Sequence, residues 1–204
     1  MLRKFADKFT VLTALALVAA LALPARAQQS FGRTYPVTMQ EPDPGVDHTA
    51  RDIDLAPELR RTPVLYRSDY PSGTIIVNTA DRYLYLIIDS QRALRYGIGV
   101  GRDGFQWGGV HKISRKAEWP DWTPPPEMIV RQPYLPRFMA GGPGNPMGAA
   151  ALYIGTTVYR IHGTNAPETI GQAVSSGCFR LVNEDVQDLY ARVPVGTRVI
   201  VQHQ

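Results

Sequence analysis

The residues of this chain that are best suited to chemistry lie close together near its C-terminal end. The single cysteine of the 204 residues, Cys178, follows His162 by 16 positions. A thiol becomes a useful nucleophile when a neighbouring group takes its proton, and histidine suits that task because its pKa lies near neutrality. These residue types at this spacing predict a Cys178–His162 pair for nucleophilic catalysis.

Small and charged residues around Cys178 predict the remainder of the site. Ser175, Ser176 and Gly177 permit a tight turn before the thiol. In that turn the backbone N–H groups of Ser176 and Gly177 would face a developing oxyanion. Arg180 follows the thiol by two residues, where it is placed to meet a substrate carboxylate or amide oxygen.

Each of these residues also has a purely structural explanation. A lone cysteine is often a small buried hydrophobic residue, and a histidine at a strand end is often structural. Arg180 would then pair with Asp185 or Asp188. All of these explanations would have to hold at once, and an unpaired thiol in an oxidising compartment is a liability. The combination favours a catalytic site.

Strands joined by turns are the elements that must position this site. The 18 glycines and 17 prolines point away from a helical bundle. Apolar runs separated by short polar turns predict an antiparallel meander. Strands are expected at residues 62–66, 73–78, 83–88 and 93–100. A separate last strand is expected at 198–201.

A further β-hairpin and two helices are predicted around the motif itself. Strands at 152–154 and 158–162 form the hairpin, and alternation places Val158, Arg160 and His162 on one face. Residues 167–174 are compatible with a short helix. Asn183 is a good N-cap for a second helix. The apolar stripe of that helix comprises Val186, Leu189, Tyr190 and Val193.

Residues 101–149 are aromatic and rich in proline and glycine, as in Trp119-Pro120-Asp121-Trp122. The pattern predicts a long loop. A loop of this length is typical of a functional lid or a binding loop. The alternative is a proline-stiffened surface loop whose aromatic residues plug the core.

The first 27 residues have the pattern of a secretory signal peptide. A basic head precedes an apolar run from Val11 to Leu23 and the small-residue ending Ala25-Arg26-Ala27. The 13-residue run is short for a bilayer span, so an uncleaved anchor is only the alternative. Because the leader holds four basic groups and one acidic group, cleavage after Ala27 lowers the formal net charge from +4 to +1. We therefore expect export to the periplasm, no nucleic-acid partner, and membrane association only through the export signal.

The remaining chain divides into two parts. Residues 28–62 are rich in proline, aspartate and arginine and are predicted to form an extended N-terminal segment, ahead of a catalytic domain at 63–204. A single cysteine excludes an intramolecular disulfide and a cysteine-based zinc cluster. The sequence predicts neither a metal nor a cofactor.

Residues 73–201 resemble the L,D-transpeptidases with the YkuD-type catalytic domain. The resemblance is strongest in His162-Gly163-Thr164-Asn165, Ile170-Gly171 and Ser175-Ser176-Gly177-Cys178-Phe179-Arg180, with Asn183 beyond. Weaker matches are Trp122-Thr123-Pro124-Pro125-Pro126 and Asn145-Pro146-Met147-Gly148. The resemblance implies a mainly-β fold, a YkuD-type β-sandwich or barrel-like arrangement of antiparallel sheets with one or two short helices.

The same resemblance implies a reaction and roles for individual residues. Cys178 would attack the carbonyl that joins the third and fourth residues of a peptidoglycan stem peptide, D-alanine would leave, and an amine acceptor would take the acyl group. His162 would be the base, oriented by the backbone carbonyl of Gly163. The residues expected to bind substrate are Arg180, Ser175, Asn183, Tyr159 and Asn165. The expected partners are peptidoglycan stem peptides, with an outer-membrane protein or lipoprotein as a further candidate acceptor.

Two positions depart from the family pattern. Ser176 stands where the family commonly has a second histidine, which leaves His162 as the candidate base. Phe105-Gln106-Trp107-Gly108-Gly109 replaces the Thr-Pro-x-Gly that is common in the family. These departures bear on acceptor binding, oxyanion geometry and substrate detail rather than on the Cys–His pair.

Other functions share part of this pattern. Papain-like endopeptidases place cysteine before histidine, and sortase-like transpeptidases separate histidine from cysteine by a much longer stretch. An L,D-carboxypeptidase or endopeptidase-type hydrolase of peptidoglycan would use the same thioester with water as the acceptor. A non-catalytic wall-binding module is a further alternative, although it would have no need of His162, Cys178 and Arg180 together.

Overall fold

The computed structural model describes residues 55–203. The predicted signal peptide and residues 28–54 of the predicted N-terminal segment lie outside the described residues. The described part begins with a 3₁₀ turn at Pro57–Leu59. Leu59 lies close to Gly97 and its side chain lies close to Gly171, so residues just before the first strand contact the folded domain.

The first half of the structure contains the predicted antiparallel meander. The strands of this half are β1 (Thr62–Leu65), β2 (Ile75–Asn78), β3 (Tyr83–Ile87) and β4 (Arg92–Gly97), in the spatial order β1-β4-β3-β2. The meander is formed by β2, β3 and β4, and β1 pairs with β4 at its edge. The last strand, β11 (Arg198–Gln202), lies beside β2 in parallel orientation.

The second half carries the candidate site and is joined to the first through β6 (Gly109–Glu118). The N-terminal part of β6 pairs with β11, and its C-terminal part pairs with β7 (Ala150–Ile154). The register shifts between Ile113 and Arg115, and such a bulge bends a strand so that it can serve two sheets. β8 (Arg160–His162) pairs with β7, and β10 (Phe179–Arg180) completes the order β6-β7-β8-β10.

Two further strands and two α-helices complete residues 55–203. β5 (Val100–Gly101) and β9 (Ala173–Ser175) form a small parallel pair. The helices are α1 (Pro126–Arg131) and α2 (Asn183–Arg192). The expectation of a mainly-β fold with short helices is confirmed. No helix among the described residues combines the length and the apolar character that crossing a membrane requires.

The two faces of β7 pack against different groups of residues. Ala150, Leu152 and Ile154 belong to the main core, which also contains the predicted stripe of α2. Ala151 and Tyr153 face a second apolar cluster formed by residues of the 122–147 segment. The Lys116 ammonium donates to the carbonyls of Tyr190 and Val193 at 2.5 and 2.7 Å, which satisfies the C-terminal end of α2 with a cation.

The purely antiparallel arrangement is wrong in detail, because the sheets are mixed. β11 pairs with β2, β10 with β8, and β5 with β9 in parallel orientation. These pairings join segments that are far apart along the chain or connected by crossovers, and no local turn pattern encodes them.

The prediction of a loop through 101–149 is also wrong in part. The segment contains β6, the ten-residue strand, and helix α1. Within β6 only Ile113 is buried, and the other nine residues are half-buried or exposed. The apolar alternation that marks a strand is therefore absent from its sequence.

The two helix predictions near the motif also need correction. Only Pro167–Thr169 form a 3₁₀ turn, because Gly171 has φ +82° and the next residues pair with β5. Asn183 begins α2 but does not cap it with its side chain. Its Oδ1 instead accepts from the backbone N–H groups of Ala149 and Thr164 at 2.9 and 3.3 Å, a tertiary contact.

Candidate active site

Strand pairing brings the predicted residues together. β8 ends at His162, and β10 lies parallel to it with Arg180 directly opposite His162. Cys178 immediately precedes β10, so the thiol is at the start of the strand beside the histidine strand. The N–H of Leu181 donates to the carbonyl of His162 at 2.9 Å, which continues the pairing past Arg180.

Six of the predicted site residues line one open pocket. They are Cys178, His162, Arg180, Ser175, Ser176 and Tyr159. Arg160 and His162 share one face of β8 and both line the pocket, as the predicted alternation requires. Val158 and Tyr159 precede β8 and line the pocket as well, so the alternation does not extend to them.

His162 is buried and held in one tautomer. Its Nδ1 lies 2.6 Å from the carbonyl oxygen of Gly163. A carbonyl oxygen only accepts, so Nδ1 carries the proton and donates it. Burial, together with the positive charges of Arg180 and Arg160, lowers the pKa of His162 to about 3, although hydrogen bonding to the backbone of Gly163 and Met147 opposes the shift. The ring is therefore neutral near pH 7, with Nε2 as a proton acceptor.

The turn before Cys178 is organised by Ser175. The Ser175 hydroxyl donates to the carbonyl of Cys178 at 2.6 Å and accepts from the N–H of Gly177 at 3.1 Å. Gly177 has φ +105°, a conformation that L side chains rarely adopt. The Gly177 N–H, which the sequence predicted to face an oxyanion, is directed at Ser175 in this structure.

Trp107 supports the same turn from outside the motif. Its indole Nε1–H donates to the carbonyl of Gly177 at 2.7 Å. Its ring stacks on the ring of Tyr159, with the two centroids 4.4 Å apart and an interplanar angle of 8°. Because the peptide unit is planar, anchoring the Gly177 carbonyl also orients the peptide N–H of Cys178. Trp107 lies in the segment that departs from the family pattern, and the sequence did not assign it to the site.

Two predicted substrate-binding residues lie outside the pocket lining and bond to the backbone. Asn183 bonds to the backbone of Ala149 and Thr164, as described above. Asn165 is buried and its Nδ2 donates to the carbonyl of Gly144 at 3.0 Å. Both asparagines therefore hold the backbone around His162 and the residues that precede β7.

The apolar wall of the pocket comes from the 122–147 segment. Trp122, Met128, Leu135 and Met147 line the pocket and form the second apolar cluster. The segment therefore forms one wall of the pocket and also packs against the sheet at Ala151. Sequence reasoning singled out this segment as a whole, but no local pattern showed which of its side chains point inward.

Arginines contribute the positive charge around the pocket. Arg160 lines it together with Arg180. Arg131, on α1, donates to Ser176 Oγ at 3.2 Å and lies over the ring of Phe105. The sequence did not assign Arg160 or Arg131 to the site, although strand alternation had already placed Arg160 on the face of His162.

Comparison with known proteins identifies the family. The family model YkuD, described as the L,D-transpeptidase catalytic domain, matches residues 72–201. The chain belongs to this family. It is 45% identical over 139 residues to the Escherichia coli K12 protein named "Probable L,D-transpeptidase ErfK/SrfK", covering 64% of this chain and 44% of that protein. It is 40% identical over 171 residues to "Probable L,D-transpeptidase YbiS" of the same strain, covering 79% and 54%.

The chain thus spans about half the length of these curated relatives. A solved structure supports the fold assignment. The catalytic domain of the Enterococcus faecium L,D-transpeptidase, acylated by ertapenem, matches with a TM-score of 0.51 and 20% identity. The match covers 66% of this chain and 100% of that domain. At this identity the likeness shows the YkuD-family fold alone.

Proposed function

We propose that this chain is an exported cysteine acyltransferase, an L,D-transpeptidase that acts on peptidoglycan tetrapeptide stems through a thioester on Cys178. The observation that carries the proposal is the shared pocket of Cys178 and a neutral His162 whose Nδ1–H is bonded to the carbonyl of Gly163. That arrangement leaves Nε2 as the proton acceptor of the pair. Family membership supports the same reaction class.

In the first half-reaction the sulfur of Cys178 attacks the carbonyl that joins the third and fourth stem residues. His162 Nε2 takes the thiol proton as the new carbon–sulfur bond forms. When the tetrahedral intermediate collapses, His162 returns the proton to the amine of the departing D-alanine, and the acyl group remains as a thioester. Because burial disfavours the imidazolium, the proton resides on His162 only transiently.

In the second half-reaction an amine attacks the thioester and His162 removes its proton. The carbon–sulfur bond then breaks, and His162 returns the proton to the sulfur, which restores the Cys178 thiol. An amine from another stem gives a crosslink, whereas an amine of an outer-membrane protein or a lipoprotein attaches that protein to the wall. Water as the acceptor makes the protein an L,D-carboxypeptidase. The proposal includes export, with the leader removed after Ala27.

The direct test is incubation of the protein, without residues 1–27, with a disaccharide-tetrapeptide. We expect release of D-alanine together with a crosslinked dimer or a tripeptide, which mass spectrometry separates. Cys178→Ala should abolish both products. Turnover retained in Cys178→Ala would contradict the thioester mechanism.

His162→Ala tests the role of the base with the thiol in place. Acylation should slow by about 10²- to 10⁴-fold, the range expected for loss of a general base. Ertapenem serves as the acylating probe, and the mass of the adduct reports the rate. His203→Ala is the matched control, because His203 is exposed and lies outside the pocket lining. Equal acylation rates in the two variants would remove His162 from the mechanism.

A further inference from the structure

The pocket wall carries positive charge and no acidic side chain. Arg160 and Arg180 are the charged residues that line it, and none of the described lining residues is aspartate or glutamate. Both arginines act on the buried His162, since each lowers its pKa. A ligand that brings negative charge would offset this positive potential at the reaction centre.

Arg160 is held in position by an aromatic ring on the neighbouring strand. Tyr153 on β7 lies directly opposite Arg160 on β8 and opposite Arg115 on β6. The guanidinium carbon of Arg115 lies 3.7 Å from the centroid of the Tyr153 ring, and that of Arg160 lies 5.3 Å from it. Contact with an aromatic ring restrains a guanidinium while its N–H groups remain able to bind a carboxylate.

The chain itself supplies no carboxylate partner to Arg160 within the described part. Among residues 55–203, Arg61, Arg92 and Arg192 each pair with an aspartate, whereas no ion pair joins an aspartate or glutamate to Arg160. Arg160 is nevertheless only half-exposed. A half-buried guanidinium that is restrained on one side and faces a pocket is suited to bind a carboxylate from a ligand.

The position of Arg160 defines which carboxylate it would meet. Arg160 precedes His162 by two residues on the same face of β8, which corresponds to about 7 Å along the strand. The residue that supplies the attacked carbonyl must place that carbonyl beside Cys178 and His162. The side chain of the same residue can then extend toward Arg160.

We propose that Arg160, restrained by Tyr153, forms a carboxylate subsite for the acyl donor. The subsite selects donors in which the residue that supplies the attacked carbonyl carries a free carboxylate on its side chain. Donors with a side-chain amide or a side-chain amine at that position bind less well. This inference rests on the proposed function for the identity of the donor, and it goes beyond it by assigning a specificity-determining residue.

The test uses Cys178→Ala, which keeps the donor intact during a binding measurement. Two soluble tetrapeptides differ only in whether the side-chain carboxyl of the third residue is free or converted to an amide. Isothermal titration calorimetry should show about 10- to 100-fold tighter binding of the free acid, as expected for a charge-assisted hydrogen bond. Equal binding of the two peptides would overturn the subsite.

Substitution then assigns the preference to Arg160. In Cys178→Ala the free acid should bind about 10- to 100-fold more tightly than the amide. Adding Arg160→Gln should reduce this preference to less than about threefold. Arg198→Gln in the same background is the matched control and should keep the full ratio, because Arg198 is exposed on β11 and lies outside the pocket lining. An Arg160→Gln protein that weakens both peptides equally would also overturn the subsite, since a structural role predicts that result.

A third variant covers the case in which Arg160→Gln fails to fold. Arg160→Lys keeps the charge but loses the planar, bidentate group, so it should retain part of the preference. Failure of this subsite is distinguishable from failure of the proposed function. If the unsubstituted protein releases no D-alanine while Cys178→Ala still prefers the free acid, the reaction is wrong and the carboxylate subsite stands. If D-alanine is released but the two peptides bind equally, the subsite is wrong and the reaction stands.

Discussion

Arginines on the two sides of the β7–β8 sheet have different partners. On the side of α2, Arg61 lies 3.0 Å from Asp188 and 3.7 Å from Asp185. Arg192 donates twice to Asp188 at 2.9 Å. The Tyr96 hydroxyl also donates to Asp188, at 2.7 Å, so one carboxylate links β4, α2 and the residue before β1.

On the pocket side, arginines lie against aromatic rings and a hydroxyl. Arg160 lies near Tyr153, and Arg131 lies over Phe105 and donates to Ser176. Within residues 55–203 neither of these two arginines has an ion-pair partner. On the α2 side the chain itself provides the carboxylate that pairs with Arg61 and Arg192, whereas Arg131 and Arg160 on the pocket side lie against aromatic rings. Substitutions on the two sides should therefore have different effects.

The largest effect is expected from Asp188→Ala on the α2 side. The substitution leaves the buried Tyr96 hydroxyl without its acceptor and removes the partner of Arg61 and Arg192. The free energy of unfolding should fall by about 2–4 kcal/mol, measured by urea denaturation. Gln187→Ala, at an exposed position of the same helix, is the control and should change it by less than about 0.5 kcal/mol. A loss below about 1 kcal/mol for Asp188→Ala would show that this cluster is not a stabilising network.

A smaller effect is expected on the pH dependence of stability. Asp185 on the α2 side and His162 on the pocket side are both buried, and they should shift stability in opposite directions as pH changes. Burial raises the pKa of Asp185 to about 6, so its contribution to stability is complete below its unfolded pKa near 4 and is lost as pH rises through 6. Burial lowers the pKa of His162 to about 3, so its contribution is complete above about 6.5 and is lost as pH falls toward 3.

Unfolding measurements between pH 4 and pH 7 check these signs. Relative to the unsubstituted protein, Asp185→Asn should gain about 1 kcal/mol or more in stability as pH rises from 4 to 7. His162→Gln should lose stability less steeply than the unsubstituted protein as pH falls from 7 to 4. Parallel curves for all three proteins would contradict the assignment of these two groups.

The smallest effect is expected from Arg131→Gln on the pocket side. Arg131 is exposed, so the free energy of unfolding should change by less than about 0.5 kcal/mol. Loss of its hydrogen bond to Ser176 should lower kcat/KM for D-alanine release by about threefold to tenfold, the equivalent of one hydrogen bond. Arg137→Gln, exposed on the same segment, should leave both quantities unchanged. A loss of stability without a change in kcat/KM would place Arg131 among the structural arginines.

The fold was predictable where the pattern is local. The β2–β3 hairpin and the β7–β8 hairpin follow from apolar alternation interrupted by polar turn residues, and both form. The α2 stripe buries Val186, Leu189 and Val193, as helical periodicity requires. β6 was missed because Ile113 is the only buried residue among its ten. Its pairing depends on two neighbouring strands rather than on its own apolar pattern.

The candidate site divides in the same way. Residue types and spacing predicted Cys178, His162 and Arg180 together, and the structure brings them to one pocket. The same reasoning did not find Trp107, whose indole donates to Gly177 across 70 positions of sequence. Nor could it show that Asn183 bonds to Ala149 and Thr164 rather than capping its own helix. Local propensity predicts a cap, and a tertiary partner for the same amide overrides it.

The amino-acid sequence by itself determined which groups are available for chemistry: one thiol, a histidine on a strand, and an arginine beyond the thiol. Alternation along β8 also determined that Arg160 and His162 share a face. Only the tertiary structure decided their environment. Parallel pairing of β8 and β10 sets Arg180 beside His162, and burial keeps His162 neutral. The 122–147 segment closes one wall of the pocket. These features depend on contacts between distant parts of the chain, because burial and charge proximity are properties of the folded arrangement rather than of any local stretch.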